Sequence, residues 1–172
     1  LDQKSAMSDE EVGAFYDRHA DMVYRLCYVY LKNRADTEDA VQSIFLKMLN
    51  PHPSFRDLEH EKAWLIVTSK NHCKDLLKSW WKRRKVDLDV LPDQVTHENG
   101  GSNNEVLEKL LALPPKYKTI LYLYYFEDYS VKELADLLKK KESTIQTQLA
   151  TGRKRLKIDL GGTYERSYQT RI

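Results

Sequence analysis

An all-α fold of two small helical domains is predicted by three observations. Apolar residues recur at helical spacing along most of the chain, and only six glycines and five prolines interrupt its 172 residues. No Asn-Gly or Asp-Gly pair is flanked by the alternating β-branched residues of a hairpin. The single Asn-Gly, Asn99-Gly100, falls in VDLDVLPDQVTHENGGSNN, which carries Asp87, Asp89, Asp93 and Glu98 but no Lys or Arg, and ends in a Gly/Ser/Asn cluster. That composition reads as a flexible acidic linker over residues 86–104, separating a domain at 1–85 from one at 105–160. Residues 161–172 form a tail for which no role is assigned and which is open to disorder.

The elements follow in order. A first helix is expected over about Asp9 to Leu31, with Phe15, Met22, Leu26 and Val29 on one face. Asp36 or Thr37 is expected to cap a second, TEDAVQSIFLKML, because a short acceptor side chain there satisfies orphan amides. Ala40, Ile44 and Leu46 are expected to pack inward, and Asn50-Pro51-His52-Pro53 to end the helix. A third runs from about Glu59 to Trp81 and carries Trp64, Leu65, Val67, Cys73, Leu76 and Trp80. After the linker, Glu105 to Leu113 is helical, and Pro115 opens the next helix, since a first-turn residue needs no amide hydrogen. Ser130 and Glu133 make a capping box for the sixth; Ser143 and Gln146 are expected to make another for the seventh. Two short helices joined by a brief turn, the second one basic, describe a helix-turn-helix, although its turn, KKKE, lacks the glycine often found there.

Several function classes are excluded at this level. No apolar run approaches the roughly 20 residues of a membrane span, and LDQKSAMSDEEV lacks the basic-then-apolar order of a secretory signal, so a cytoplasmic protein without membrane insertion is expected. Cys27 and Cys73 have no CxxC spacing and read as buried apolar residues. The five histidines are scattered, His60-Glu61 starts no HExxH pattern, and neither a phosphate-binding GxxxxGK[ST] nor a GxSxG elbow occurs. No enzyme activity, catalytic residue, metal or cofactor is expected.

Charge is more informative than its net value of +2 suggests. Seven cations from Lys70 to Lys85 face one acid, Asp75; seven more from Lys139 to Lys157 face one, Glu142. Both blocks lie on expected helices, and Lys70, Lys74 and Lys78 share a face by four-residue spacing. Such a stripe either binds phosphates or is merely solvated. The basic end of the last helix either enters a groove of DNA or complements the helix dipole.

The residues together resemble a family. FYDRHADMVYRLCYVYLKNRADTEDAVQSIFLKML and AWLIVTSKNHCKDLLKSWWKRR are similar to region 2 of bacterial RNA polymerase sigma factors of the extracytoplasmic-function group, in the sigma-70 family; the signature of that region is here Glu38, Asp39, Gln42 and Phe45. LPPKYKTILYLYYFEDYSVKELADLLKKKESTIQTQLATGRKRLK is similar to region 4. The resemblance covers about Glu11 to Lys157. It implies an initiation factor that gives core RNA polymerase its promoter choice, with contacts to the β′ clamp coiled coil and the β flap, and an anti-sigma factor as regulator.

Site residues follow from the same resemblance. It implies that Glu38, Asp39, Gln42 and Phe45 bind core polymerase, and that Phe55, Arg56, Lys70, Asn71, Lys74 and Lys78 hold the minus-ten element, with Asn71 on a flipped base. It implies that Ser143, Thr144, Gln146, Thr147, Gln148, Thr151, Arg153, Lys154 and Lys157 meet the minus-thirty-five element. There the chain departs from its relatives: Gln148 and Thr151 stand where arginines are common, and Gly152 where alanine is usual. Glutamine suits adenine and threonine can touch a thymine methyl, so an A/T leaning is expected. The rival from another class is a free-standing helix-turn-helix regulator that binds duplex operator DNA without polymerase.

Overall fold

The computed structural model describes residues 8–49, 53–86 and 104–160, without the side chains of 84–86, 104–107 and 157–160. Residues 87–103 of the expected linker, the tail from 161, and the side chain of Lys157 lie outside the described residues. All regular structure among the described residues is helical, and the chain divides into two compact units, Leu1–His97 and Glu98–Ile172.

The first unit packs α1 (Asp9–Leu31), α2 (Arg34–Leu49) and α3 (Leu58–Val86). Ser8 caps α1: its Oγ accepts from the Glu11 amide at 3.2 Å, while Glu11 Oε2 accepts from the Ser8 amide at 2.8 Å. Because α1 touches both partners, its buried arc is wide, from Phe15 through Val23 and Leu26 to Tyr30. Lys32 ends it in the left-handed region at φ 62°, so the chain turns at once into α2.

Three expectations for this unit are corrected. The helix α2 begins at Arg34, not at an Asp36 or Thr37 cap, because Asn33 Oδ1 accepts from the Asp36 amide at 2.8 Å, the N-cap geometry. Thr37 is instead buried, its hydroxyl donating to the Asn33 carbonyl at 2.6 Å. Leu46 does not pack inward with Ala40 and Ile44; it is 60% exposed. Two residues of helix turn by about 200°, so Ile44 and Leu46 cannot face the same way. Finally, α3 continues past Trp81 to Val86, since WKRRK contains no helix breaker.

Buried polar groups tie α1 to α3. His19 Nε2 lies 2.6 Å from Glu61 Oε1, which also accepts from Arg18 at 3.1 Å. Cys27 and Cys73 are both fully buried, and the hydrogen bond between their thiols, together with burial, pushes the Cys27 pKa up.

The second unit packs α4 (Asn104–Ala112), α5 (Pro115–Tyr125), α6 (Val131–Leu138) and α7 (Glu142–Leu160). Lys118, 2% exposed, donates from Nζ to the Leu111 carbonyl at 3.4 Å and so meets an orphan acceptor at the end of α4. The expected box at the start of α6 is formed: the Glu133 amide donates to Ser130 Oγ at 3.2 Å, and Glu133 Oε2 accepts from the Ser130 amide at 2.8 Å. The Ser130 hydroxyl, donating to Glu133 Oε2 at 2.6 Å, and after it the Ser130 amide hold the Glu133 carboxyl below the usual glutamate range. The box expected at Ser143 is not the helix start. Lys139 ends α6 at φ 54°, the Lys140 amide closes on the Ala135 carbonyl at 2.9 Å, and α7 begins at Glu142, with the Lys141 carbonyl accepting from Ile145 at 3.2 Å.

Candidate functional site

On α2, Asp39, Gln42, Leu46 and Leu49 are all exposed and fall within an arc of about 80° at 100° per residue. The structure thus joins two sequence-derived candidates to two leucines that sequence reasoning had not placed with them. Leu46 is 60% and Leu49 43% exposed, which makes the face a carboxylate and an amide set among apolar surface. Glu38, at the edge of this arc, is paired with Arg34 at 2.7 Å.

Phe45 and Phe55, assigned by resemblance to different sites, meet around one ring. Phe15 lies 5.8 Å from Phe45, edge-on, and 6.2 Å from Phe55, stacked. Phe45 extends the cluster to Tyr16 at 4.8 Å, and Phe55 extends it to His60 and Trp64, each at 5.7 Å. Both phenylalanines are therefore half-buried supports for their surfaces. Arg56 beside Phe55 is exposed, and its amide donates to His60 Nδ1 at 3.3 Å. Asp57 caps α3 by accepting from the His60 amide at 2.7 Å, which fixes the loop to the helix it precedes.

On α3, Asn71, Lys74 and Lys78 are exposed, with Lys70 at the margin; the four span about 100° of the helix. The pair between Lys78 and Asp75, at 3.8 Å and about three-quarters exposed, is weak and leaves the face cationic. His72 is joined to α2: Lys47 Nζ donates to its Nδ1 at 3.0 Å, and burial followed by the Lys47 charge lowers the imidazole pKa below its usual value. Among the described residues no group of three His, Cys, Asp or Glu could hold a metal ion. No described helix is long and apolar enough to cross a membrane.

On α7, Ile145, Leu149 and Gly152 are buried, which points Ser143, Thr147 and Lys154 straight outward. Gln146 and Gln148 occupy opposite shoulders, about 160° apart, so the two cannot face the same base pairs. Gln148 is half-buried, accepts from Lys140 Nζ at 3.0 Å, and with Ser143, Thr144, Thr147, Thr151, Lys116 and Tyr117 lines a groove of about 350 Å³. Arg153 is occupied by α5: its Nε donates to the Tyr125 hydroxyl at 2.6 Å, and its guanidinium stands 5.5 Å from the Tyr124 ring. Arg155, outside the sequence-derived set, lies 4.8 Å above the Tyr117 ring.

Comparison with known proteins matches these two units to two family models. Residues 15–83 match Sigma-70 region 2 and residues 103–156 match Sigma-70, region 4. The RNA polymerase sigma factor SigV of Bacillus subtilis is 30% identical over 143 residues, covering 83% of this chain and 86% of the relative. The ECF RNA polymerase sigma factor SigX of the same organism is 25% identical over 164 residues, covering 87% of this chain and 83% of the relative. In fold, the chain is similar to the sigma factor RpoE solved with the anti-sigma factor NepR from Bartonella quintana: TM-score 0.76, 16% identity, 88% of this chain and 98% of that one. With both regions matched in order, and with relatives alike over most of their length, the chain belongs to the sigma-70 family of RNA polymerase sigma factors, among its extracytoplasmic-function members.

Proposed function

We propose that this chain directs promoter-specific transcription initiation as a detachable subunit of RNA polymerase, with no catalytic chemistry of its own. The observation that carries the reading is the first unit's pair of unlike surfaces: an apolar and carboxylate-bearing face on α2, and a cationic, amide-bearing face on α3. Asp39 and Gln42 suit an arginine-rich protein helix such as the β′ clamp coiled coil, with Leu46 and Leu49 supplying buried area. Asn71 supplies base-edge hydrogen bonds to an unpaired nucleotide, and Lys70, Lys74 and Lys78 meet its backbone. The second unit binds the minus-thirty-five element and the β flap. Thr147, flanked by Gln146 and Thr151, reads bases with an A/T leaning, while Lys154 and Arg155 meet phosphates. On this reading the regulator is an anti-sigma factor, the kind of protein with which the RpoE of the same fold is seen.

The test is reconstitution with core RNA polymerase on a library of promoter fragments. Stable holoenzyme and selection of a two-element promoter are expected. Tight duplex binding by the chain alone, with no holoenzyme, would establish the free-standing regulator instead.

A finer prediction separates the surfaces. Asp39→Ala, Gln42→Ala and Leu46→Ala should each weaken core binding by about tenfold, an amount usual for a central interface side chain. Asn71→Ala should leave core affinity unchanged and slow promoter opening. Core titration followed by permanganate reactivity of the start site reads both, and equal core affinity in all four variants would refute the assignment.

A further inference from the structure

The end of α3 presents a feature that neither surface described above uses. Trp81 is 65% exposed, the most exposed of the large hydrophobic side chains among the described residues. An indole left in water forgoes burial of one of the largest apolar side chains, so its position calls for a reason. Its setting supplies one. Lys74, Lys78 and Trp81 follow the i, i+4, i+7 spacing of a single helix stripe and fall within about 60° of one another. All three are exposed, as are Lys82 and Arg83 beside them. A flat aromatic ring in line with ammonium groups offers a polyanion what cations alone do not: a face to pack on sugars or bases, and an N–H to donate to a phosphate.

We infer that Trp81 is a DNA-contacting residue, and that it touches the double-stranded spacer adjoining the minus-ten element rather than the melted strand. The inference rests on the proposed function. Asn71 to Trp81 is ten residues of helix, about 15 Å. That equals the rise of four to five base pairs of B-DNA at about 3.4 Å each. With Asn71 at the edge of the opened segment, Trp81 stands beyond it, over paired DNA. The direction follows from chain order: α3 is followed in sequence by the unit that carries the helix-turn-helix, which on the proposed function binds the more distant element. Packed there, the indole covers a deoxyribose while Lys78 and Lys82 hold neighbouring phosphates.

The experiment compares holoenzymes containing wild type, Trp81→Ala and Trp81→Phe on two probes. One is a fork-junction DNA with six base pairs of spacer duplex; the other is the single-stranded minus-ten oligonucleotide alone. Trp81→Ala is expected to weaken binding to the fork on the order of tenfold, to leave the single-stranded probe unaffected, and to be largely restored by Trp81→Phe. Unchanged fork binding by Trp81→Ala would overturn the inference, and so would an equal loss on both probes. Failure of the wild type to form holoenzyme would count against the sigma-factor reading itself, which is a separate result.

Discussion

Phe15→Ala is expected to destabilise the first unit by about 4 kcal/mol, within the range for truncating a buried aromatic ring. Phe15 is 1% exposed and is the ring that Phe45 and Phe55 share. Domains of this size have total stabilities of roughly 5–15 kcal/mol, so one substitution removes a large part of the margin. The midpoint of unfolding should fall on the order of 20 °C. Phe126→Ala is the control, because Phe126 is 63% exposed in the other unit and should change stability by less than about 0.5 kcal/mol. The functional consequence is joint. Phe45 supports the α2 surface and Phe55 the loop before α3, so core binding and promoter opening should decline together in Phe15→Ala. In Asn71→Ala only opening should decline. Thermal melting by circular dichroism, run beside the core titration, decides it: a midpoint within 5 °C of wild type, on the order of 1 kcal/mol for a domain this size, would show that the aromatic cluster does not hold this unit together.

How much of this was legible in the sequence depended on the distance over which the deciding interaction acts. The amphipathic run of α1 declares itself because Phe15, Met22 and Leu26 recur on one face, and Ser8, Glu11, Ser130 and Glu133 satisfy one another within four residues. The start of α2 was less legible because Asn33, Asp36 and Thr37 are all competent caps, and only tertiary packing buries Thr37. The start of α7 was decided by Lys139 entering the left-handed region, a conformation that nothing in KKKE announces. The exposure of Leu46, by contrast, was available from helix geometry alone, since Ile44 fixes the inward direction.

The site divides in the same way. The exposed face of α3 could be read from four-residue spacing. The convergence of Phe45 and Phe55 on Phe15, the joining of Arg18 and His19 to Glu61, and the capture of Arg153 by Tyr125 each link residues 28 to 43 positions apart. A single sequence carries no signal for such pairs. For α7 the sequence supplied the residues but not their order of exposure: Gln148 is drawn to Lys140 and the Tyr117 groove, while Thr147 takes the outermost position.

Gly152→Leu should destabilise the second unit by about 2–3 kcal/mol and abolish minus-thirty-five binding, and the reason lies in the distance between α5 and α7. A glycine within a helix ordinarily costs about 1 kcal/mol relative to alanine. Here its missing side chain is the means of contact: a Cβ at Gly152 would lie 2.9 Å from Leu121 Cδ1, 3.2 Å from Leu121 Cγ and 3.4 Å from Tyr117 Cβ. Leu121 is 1% exposed, so its methyl groups can move only against other packed atoms. For Gly152→Ala the two effects oppose: the helix gains about 1 kcal/mol from propensity and loses a similar amount to the overlap, so a change of less than about 1 kcal/mol is expected. Leucine brings the same propensity gain and three further carbons, and overpacking wins. Pushing α7 off α5 also separates Arg153 from Tyr125 and Arg155 from Tyr117, the contacts that set the helix's rotation. The decisive measurement is a double-mutant cycle on melting of the unit. Leu121→Ala alone should cost about 2–5 kcal/mol, and combined with Gly152→Leu it should cost less than the sum, because the new side chain fills the space that the old one leaves. Strict additivity would mean that Gly152 and Leu121 do not share that space, and the close approach of α5 and α7 would lose its proposed role in presenting Thr147 to DNA.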